Sequence, residues 1–414
     1  MLTSAEPVSS RSTGIRLEDL VAVPIDVGKH TAMAKILDFT GAELVKPFEF
    51  RLDRSGVGEF VRRARAGMPS SVSLIRAGLE AAGHYHLPLA GGVLPAEWEL
   101  RVLNPGHVAM QRKVNGQRGV KTDRVDLTAI ADLLLAGRGT IAPPFADPVM
   151  TLTGWVAHRR RRSLLRRRTI QQLTTHVDRC FPGLGRTMWS VVLCKAGRLV
   201  ITELADPARV TRLGPSRLRT FAANRGVRMT TPLAERIVEA ARQALPVPGA
   251  EISRRLLATD LKLLADIEEQ IALADVEIEA LLPQTPFAVL TSTPGWGPVR
   301  VAHYGAAVGD PGRWPGHRQL YRASGLTPRL YESAGHRHDG QITREGSVLL
   351  RVALVDLGIG LWHTEPASRS YGAQLRARGK PGGIIVCAMA HRANKIAYAM
   401  VRHQQPWEPS RWAA

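Results

Sequence analysis

The hydrophobic pattern opens after Leu20 with three β-prone runs in quick succession, VAVPIDVG, TAMAKILDF and LVKPFEFR, separated by GKH and TGAE as turn segments. That spacing predicts a three-stranded meander. A helical pattern follows in GVGEFVRRARAG, then a buried-looking strand VSLIRAGLE, a second helical stretch around Tyr85 to Leu94, and the strand ELRVLNP. Thr122 to Ala136 closes the segment with apolar residues at helical spacing. The order βββαβαβ followed by a helix predicts an RNase H-like α/β layer. A doubly wound dinucleotide fold fits less well, because no GxGxxG follows the first strand.

Past PPFADP the pattern becomes helical. No acidic residue occurs between Met150 and Asp178, while Arg159, Arg160, Arg161, Arg162, Arg166, Arg167 and Arg168 crowd about three turns of one helix. Such a density of cations is self-repulsive unless phosphates lie against it, so this helix is read as a nucleic-acid contact. From Glu251 to Leu282 the apolar repeat is the most regular in the chain: Leu257, Leu264, Ile271 and Ile278 recur every seven residues, with Ile267, Ala274 and Leu281 on the companion seam. A coiled-coil arm that joins protomers is expected there. Pro283 and Pro286 end it. The expected organisation is a flexible tail over 1–19, the α/β domain over 20–146, a helical and coiled-coil region over 147–285, a mostly helical domain over 286–405 and a tail over 406–414.

Composition narrows the function. The 414 residues are 44% hydrophobic, enough for several folded units, and Lys plus Arg outnumber Asp plus Glu by 56 to 36, a formal net charge of +20. That excess points to a nucleic-acid partner without separating DNA from RNA, or an enzyme from a coat protein. The three cysteines, Cys180, Cys194 and Cys387, are far apart and form no CxxC pair, which argues against a disulfide framework or a zinc site and for a reducing compartment. No apolar run has the length of a membrane span, and the first twenty residues lack the apolar block of a signal peptide. A cytoplasmic, nucleoid-associated protein without membrane contact is expected.

Four acids then stand out. Asp26 ends the first strand in IDVGK and Glu80 ends the fourth in GLEA, positions that adjoin in the expected sheet. Asp123 and Asp126, in KTDRVD, project from one face of a helix. Singly, each has an ordinary structural reading as a turn former, a helix cap or a solvated helix residue. Together they make a set of hard oxygen donors suited to Mg²⁺ or Mn²⁺, which would polarise a phosphate and stabilise the oxygens entering and leaving phosphorus.

The succession IDVGKH, GLEAAGHY, LNP and KTDRVD resembles the DEDD motif set of the RNA-guided transposases of insertion-sequence family one-ten. The resemblance implies a RuvC-like N-terminal domain with Asp26, Glu80, Asp123 and Asp126 as its metal-binding tetrad. The family's EATGxY reads EAAGHY here, and Leu127 stands where a small residue follows the last acid; neither departure touches a carboxylate.

The C-terminal region carries a second part of the resemblance. STPGWGPVRVA, from Ser292 to Ala302, has a helix-hairpin-helix look, in which a Pro-Gly turn lets backbone amides approach a phosphate; a plain helix-helix turn is the alternative. SGLTPRLYES, from Ser324 to Ser333, is similar to the segment of the family's Tnp domain that holds its nucleophilic serine, which implies Ser333 as nucleophile. Arg329, Arg337 and Arg344 are nearby phosphate-binding candidates, with His336, His338 and Arg351 as further polar neighbours. Ser324 reads as a turn residue before Gly325, and Tyr331 is a lower-ranked nucleophile. In the tail GKPGGIIVCAMAHRANKIAYAMVRH, a final helix with one basic face, His391 and Lys395 read as phosphate contacts or surface.

The resemblance therefore implies a DNA recombinase that cleaves and rejoins donor and target double strands through a phosphoserine intermediate. It further implies direction by a noncoding guide RNA and action as a dimer or tetramer. Two alternatives stand beside it: a RuvC-like junction nuclease with water as nucleophile, and a non-catalytic nucleic-acid-binding protein.

Overall fold

The computed structural model describes residues 17–81, 83–117, 119, 122–142, 148–333 and 336–412. The chain separates into two compact units, Met1–Asp147 and Pro148–Ala414.

In the first unit, β1 (Leu20–Val27), β2 (Thr31–Leu37) and β3 (Glu43–Arg51) form the expected antiparallel meander and lead into α1 (Arg54–Ala66). Then β4 (Leu74–Glu80) runs parallel to β1, and β5 (Glu99–Leu103) parallel to β4. After α2 (Pro105–Val114) and α3 (Asp123–Leu135), the two-residue β6 (Thr140–Ile141) adds an antiparallel edge, giving the order β3-β2-β1-β4-β5-β6. This mixed α/β sheet is the layer that the strand order predicts.

Side-chain alternation along β1 explains why helices cover both faces. Val21, Val23 and Ile25 pack with Val57, Phe60 and Ala64 of α1, where Phe50 and Phe60 stack with ring centroids 4.4 Å apart. Phe60 is fully buried, and its truncation to Ala would cost about 3–5 kcal/mol. On the opposite face Ala22 and Leu37 pack with Ala131 and Leu135 of α3. Gly78 of β4 admits that helix, because a Cβ there would run into the Leu134 side chain.

Three local features depart from the sequence pattern. The stretch around Tyr85 to Leu94 holds only a five-residue π-helical turn, Leu89–Val93, broken by non-helical backbone at Gly91 and Gly92, because two adjacent glycines cannot hold a regular helix there. Helix α2 lies outside the sequence expectation, although Asn104 caps it by accepting from the Gly106 amide at 2.8 Å and Pro105 sits in its first turn. The edge strand β6 is too short to leave a pattern.

The second unit is mostly helical. Helix α4 (Pro148–Cys180) precedes a group of three shorter helices, α5 (Lys195–Glu203), α6 (Pro207–Ala223) and α7 (Thr231–Arg242), and the 32-residue α8 (Ala250–Leu281) returns antiparallel along α4. One core joins Leu173 and Val177 of α4, Leu257 and Leu264 of α8 and the three shorter helices. At the other end Val149, Leu152 and Val156 of α4 and Ile278 of α8 enter the core of the C-terminal segment. That segment comprises α9 (Pro298–Val308), α10 (His317–Ala323), the hairpin β7 (Pro328–Ser333) and β8 (His336–Ile342), then α11 (Val348–Thr364), α12 (Pro366–Ala377) and α13 (Gly382–His403).

The heptad on α8 thus closes on α4 of the same chain. Leu257, Leu264, Ile267, Ala274 and Ile278 are all buried within this chain, so these positions are covered without a second protomer. A seven-residue repeat fixes an apolar seam but not the identity of the helix that covers it.

Candidate active site and nucleic-acid faces

Strand register and helix direction place the four acids toward one end of the first unit, without bringing three of them together as a group that could hold a metal. Ala22 and Gly78 face α3, so Asp26 and Glu80, an even number of residues further along β1 and β4, face the same side. The strand register pairs Ile25 with Leu79, which makes Asp26 and Glu80 neighbours at the carboxyl ends of two adjacent parallel strands. Helix α3 crosses this face with its C-terminal half near Gly78 and with the Leu134 carbonyl accepting from Arg76 at 3.1 Å. Its N-terminal turn, with Asp123 and Asp126, therefore lies toward the carboxyl ends of the strands. Thr122 caps that turn by accepting from the Val125 amide at 3.3 Å.

Four carboxylates are the hard oxygen donors that a divalent cation takes. The side chains themselves are not closed around one: among the described residues no group of three or more His, Cys, Asp or Glu stands close enough to hold an ion. Asp126, buried in the first unit, is instead ion-paired with Arg112 of α2. Arg112 escapes the sequence reading because α2 does; the Asn-Pro start at Asn104 is the signal that marks such a helix. Asp132, further along α3, is bound by Gln111 and Asn115 and belongs to the packing of α2 on α3.

Around Ser333 the structure separates backbone from side chain. Ser333 is the last residue of β7 and pairs with His336 of β8. The side chains of Ser333, His336, Arg337 and His338 lie outside the described residues. Ser324 has the structural role read for it: fully buried, it donates to the Tyr321 carbonyl at 2.6 Å and accepts from the Leu326 amide at 3.2 Å, next to Gly325 at φ +69°. Arg351 donates to the Ser324 carbonyl at 3.2 Å and braces the same turn. Arg344 is exposed, its backbone in the left-handed region at φ 57°, and Arg329 is exposed with Glu345 4.0 Å away. Tyr331 is exposed on β7.

The Pro-Gly turn at Pro294 serves packing. Gly295 has φ +77°, and a Cβ there would lie 2.6 Å from the Gly360 carbonyl of α11. The buried Trp296 donates its indole N–H to the Leu357 carbonyl at 2.8 Å, and Arg300 bonds the Gly295 carbonyl. The close approach that this glycine permits is to another helix, which gives it a packing reason independent of any phosphate.

The seven arginines of α4 fall into two sets. Arg159 pairs with Asp275, and Arg166 with Glu268, on the side facing α8. Burial pushes the Glu268 carboxyl up, but hydrogen bonds from Arg198 and Arg166 hold it below its ordinary value. Arg162 is half-buried with its Nε unpartnered. Arg160, Arg161, Arg167 and Arg168 are exposed, and at 100° per residue they share the face opposite to the paired set. No helix among the described residues is long and apolar enough to cross a membrane.

Residues 23–182 match a transposase family model of the DEDD IS110 type, and residues 288–373 match the Transposase IS116/IS110/IS902 family. The chain belongs to the IS110/IS116/IS902 family of transposases. All four acids of the transposase fall in the first matched stretch and Ser333 in the second. It is similar to the IS116 44.8 kDa protein of Streptomyces clavuligerus, at 27% identity over 95% of this chain and 97% of that protein. It is 27% identical to the IS110 43.6 kDa protein of Streptomyces coelicolor over 57% of this chain and 58% of that protein. A pilin gene-inverting protein of Moraxella bovis is 27% identical over 34% of this chain and 46% of its own length.

Proposed function

We propose that this transposase cleaves and rejoins double-stranded DNA with Asp26, Glu80, Asp123 and Asp126 as ligands of Mg²⁺ or Mn²⁺ and Ser333 as nucleophile. What supports the proposal is that two strand ends adjacent in register and the start of one helix on the same face each carry an acid, within the stretch that matches the DEDD family model. When bound, the cation supplies positive charge to the phosphate oxygens of the reacting strand. The Ser333 hydroxyl gives up its proton and its oxygen attacks phosphorus, displacing a deoxyribose oxygen that leaves as a free hydroxyl. A serine phosphodiester joins protein to DNA at that stage. Attack by the hydroxyl of a second strand reverses the step, rejoins DNA and frees Ser333. Arg329, Arg337 and Arg344 neutralise the phosphate around this serine.

A noncoding RNA selects donor and target in this reading, and the exposed face of α4 with Arg160, Arg161, Arg167 and Arg168 holds nucleic acid by its phosphates. The active form is an assembly of more than one chain. The test is adduct trapping: the protein with its DNA and RNA, denatured in mid-reaction, should retain covalently attached DNA. Ser333→Ala should remove that adduct, and Asp123→Asn should prevent its formation while leaving the melting curve in place. Strand cleavage without any adduct would favour the water-using junction nuclease instead.

A further inference from the structure

We propose that α10 and α13 form a second phosphate subsite, built by His317, Arg318, His391 and Lys395, which binds a backbone phosphate of nucleic acid and takes up a proton as it does so. The two helices pack together in the second unit, and the carboxamide of the buried Asn394 on α13 ties them by donating to the His317 carbonyl at 2.7 Å. The His317 and His391 rings lie 6.3 Å apart between centroids, with the Tyr321 ring 4.8 Å from His391. Lys395 follows His391 by one turn on α13, and Arg318 adjoins His317. Arg318, His391 and Lys395 are exposed and His317 half-buried, so the cluster is open to a ligand.

What the cluster lacks is a counter-charge. The sequences HRQLYRA of α10 and GGIIVCAMAHRANKIAYAMVRH of α13 contain no acid. Carboxylates on neighbouring elements are engaged elsewhere: Glu365 caps α12 through the Ala367 and Ser368 amides, Asp356 of α11 pairs with Arg300, and Asp310 caps the turn at Gly312. Among the described residues no carboxylate forms an ion pair with any of the four basic groups. Tyr321 and Tyr398 spend their hydroxyls on the Cys387 and Trp314 carbonyls, both at 3.0 Å. Four cationic or protonatable groups held together without an acid are complementary to an anion, and in a transposase the abundant anion is the phosphodiester.

Burial, then the charges of His317, Lys395 and Arg318, holds the His391 imidazole below its ordinary value; burial, Lys395 and Arg318 do the same to His317. A phosphate between them removes the repulsion and raises both. Binding is therefore coupled to protonation and strengthens as pH falls through the imidazole range.

The experiment measures the affinity of the full chain for duplex DNA and, separately, for structured RNA across pH and salt. Inorganic phosphate serves as a minimal probe of the imidazole resonances. Binding should weaken about tenfold between roughly pH 6 and pH 8, and His317→Gln with His391→Gln should flatten that dependence to about twofold or less. Arg318→Gln with Lys395→Gln, both at exposed positions that leave the fold undisturbed, should lower the slope of log affinity against log salt by about one to two. A weakened affinity for only one of the two nucleic acids names the source of the phosphate. An unchanged pH profile in the histidine variant, or an unchanged salt slope with both ligands in the other, overturns the proposal.

Discussion

Arg112 of α2 donates to the Asp126 carboxylate of α3, and the side chains of the pair are only 17% and 5% exposed. An acid of the proposed tetrad is thus neutralised by an arginine drawn from the neighbouring helix. Removing the guanidinium alone leaves a buried carboxylate without a partner, so Arg112→Gln should destabilise the protein by about 3–5 kcal/mol in denaturant titrations without metal. Mg²⁺ should then raise the melting temperature of the variant more than that of the parent, because only the variant has an uncompensated Asp126 for it to neutralise. Equal melting temperatures with and without Mg²⁺ in both proteins would count against Asp126 as a metal ligand.

The two arginine sets of α4 should respond differently to the same chemical change. Replacing Arg160, Arg161, Arg167 and Arg168 by Gln should flatten the salt dependence of nucleic-acid binding by roughly one unit of slope for each phosphate no longer neutralised, with stability nearly unchanged. Replacing Arg159 and Arg166 by Gln instead removes partners of Asp275 and Glu268, and should lower stability by about 1–3 kcal/mol with little effect on the salt slope. Identical salt slopes for both variants would show that the helix faces are not divided in this way.

Gly295→Ala tests the packing role assigned to the Pro-Gly turn. The substitution meets a strained backbone at φ +77° and places a methyl group 2.6 Å from the Gly360 carbonyl. A decrease of about 2–4 kcal/mol is expected in urea unfolding. A stable variant with specifically weakened DNA binding would return this turn to the phosphate-binding reading.

The proposed assembly of more than one chain is tested by complementation. Asp26→Asn and Ser333→Ala proteins, each inactive alone, should regain part of the recombination activity when mixed, with the trapped DNA only on chains that keep Ser333. Mixed oligomers without activity would place all the required groups in one chain. An adduct on Ser333→Ala chains would move the nucleophile, with Tyr331, exposed on the same strand, the first to examine.

The strand order β1 to β5 is legible in the sequence because alternating and apolar runs encode which residues must leave water, and turn residues mark where the chain reverses. The helix with Asp123 and Asp126 is legible from its period and from Thr122 ahead of it. The motifs themselves carry the family likeness. Partner identity is not legible: the repeat on α8 defines an apolar seam, but only the folded chain shows α4 lying along it. Nor does a run of seven arginines state which of them meet acids, since Asp275 and Glu268 lie more than a hundred residues further on. The Arg112–Asp126 pair, the close approach of Gly295 to α11 and the basic cluster between α10 and α13 all join separate segments. Sequence determines the local conformation and the face of each element; which faces meet is decided by packing of the whole chain, because side-chain complementarity acts through space and leaves no periodic trace along the chain.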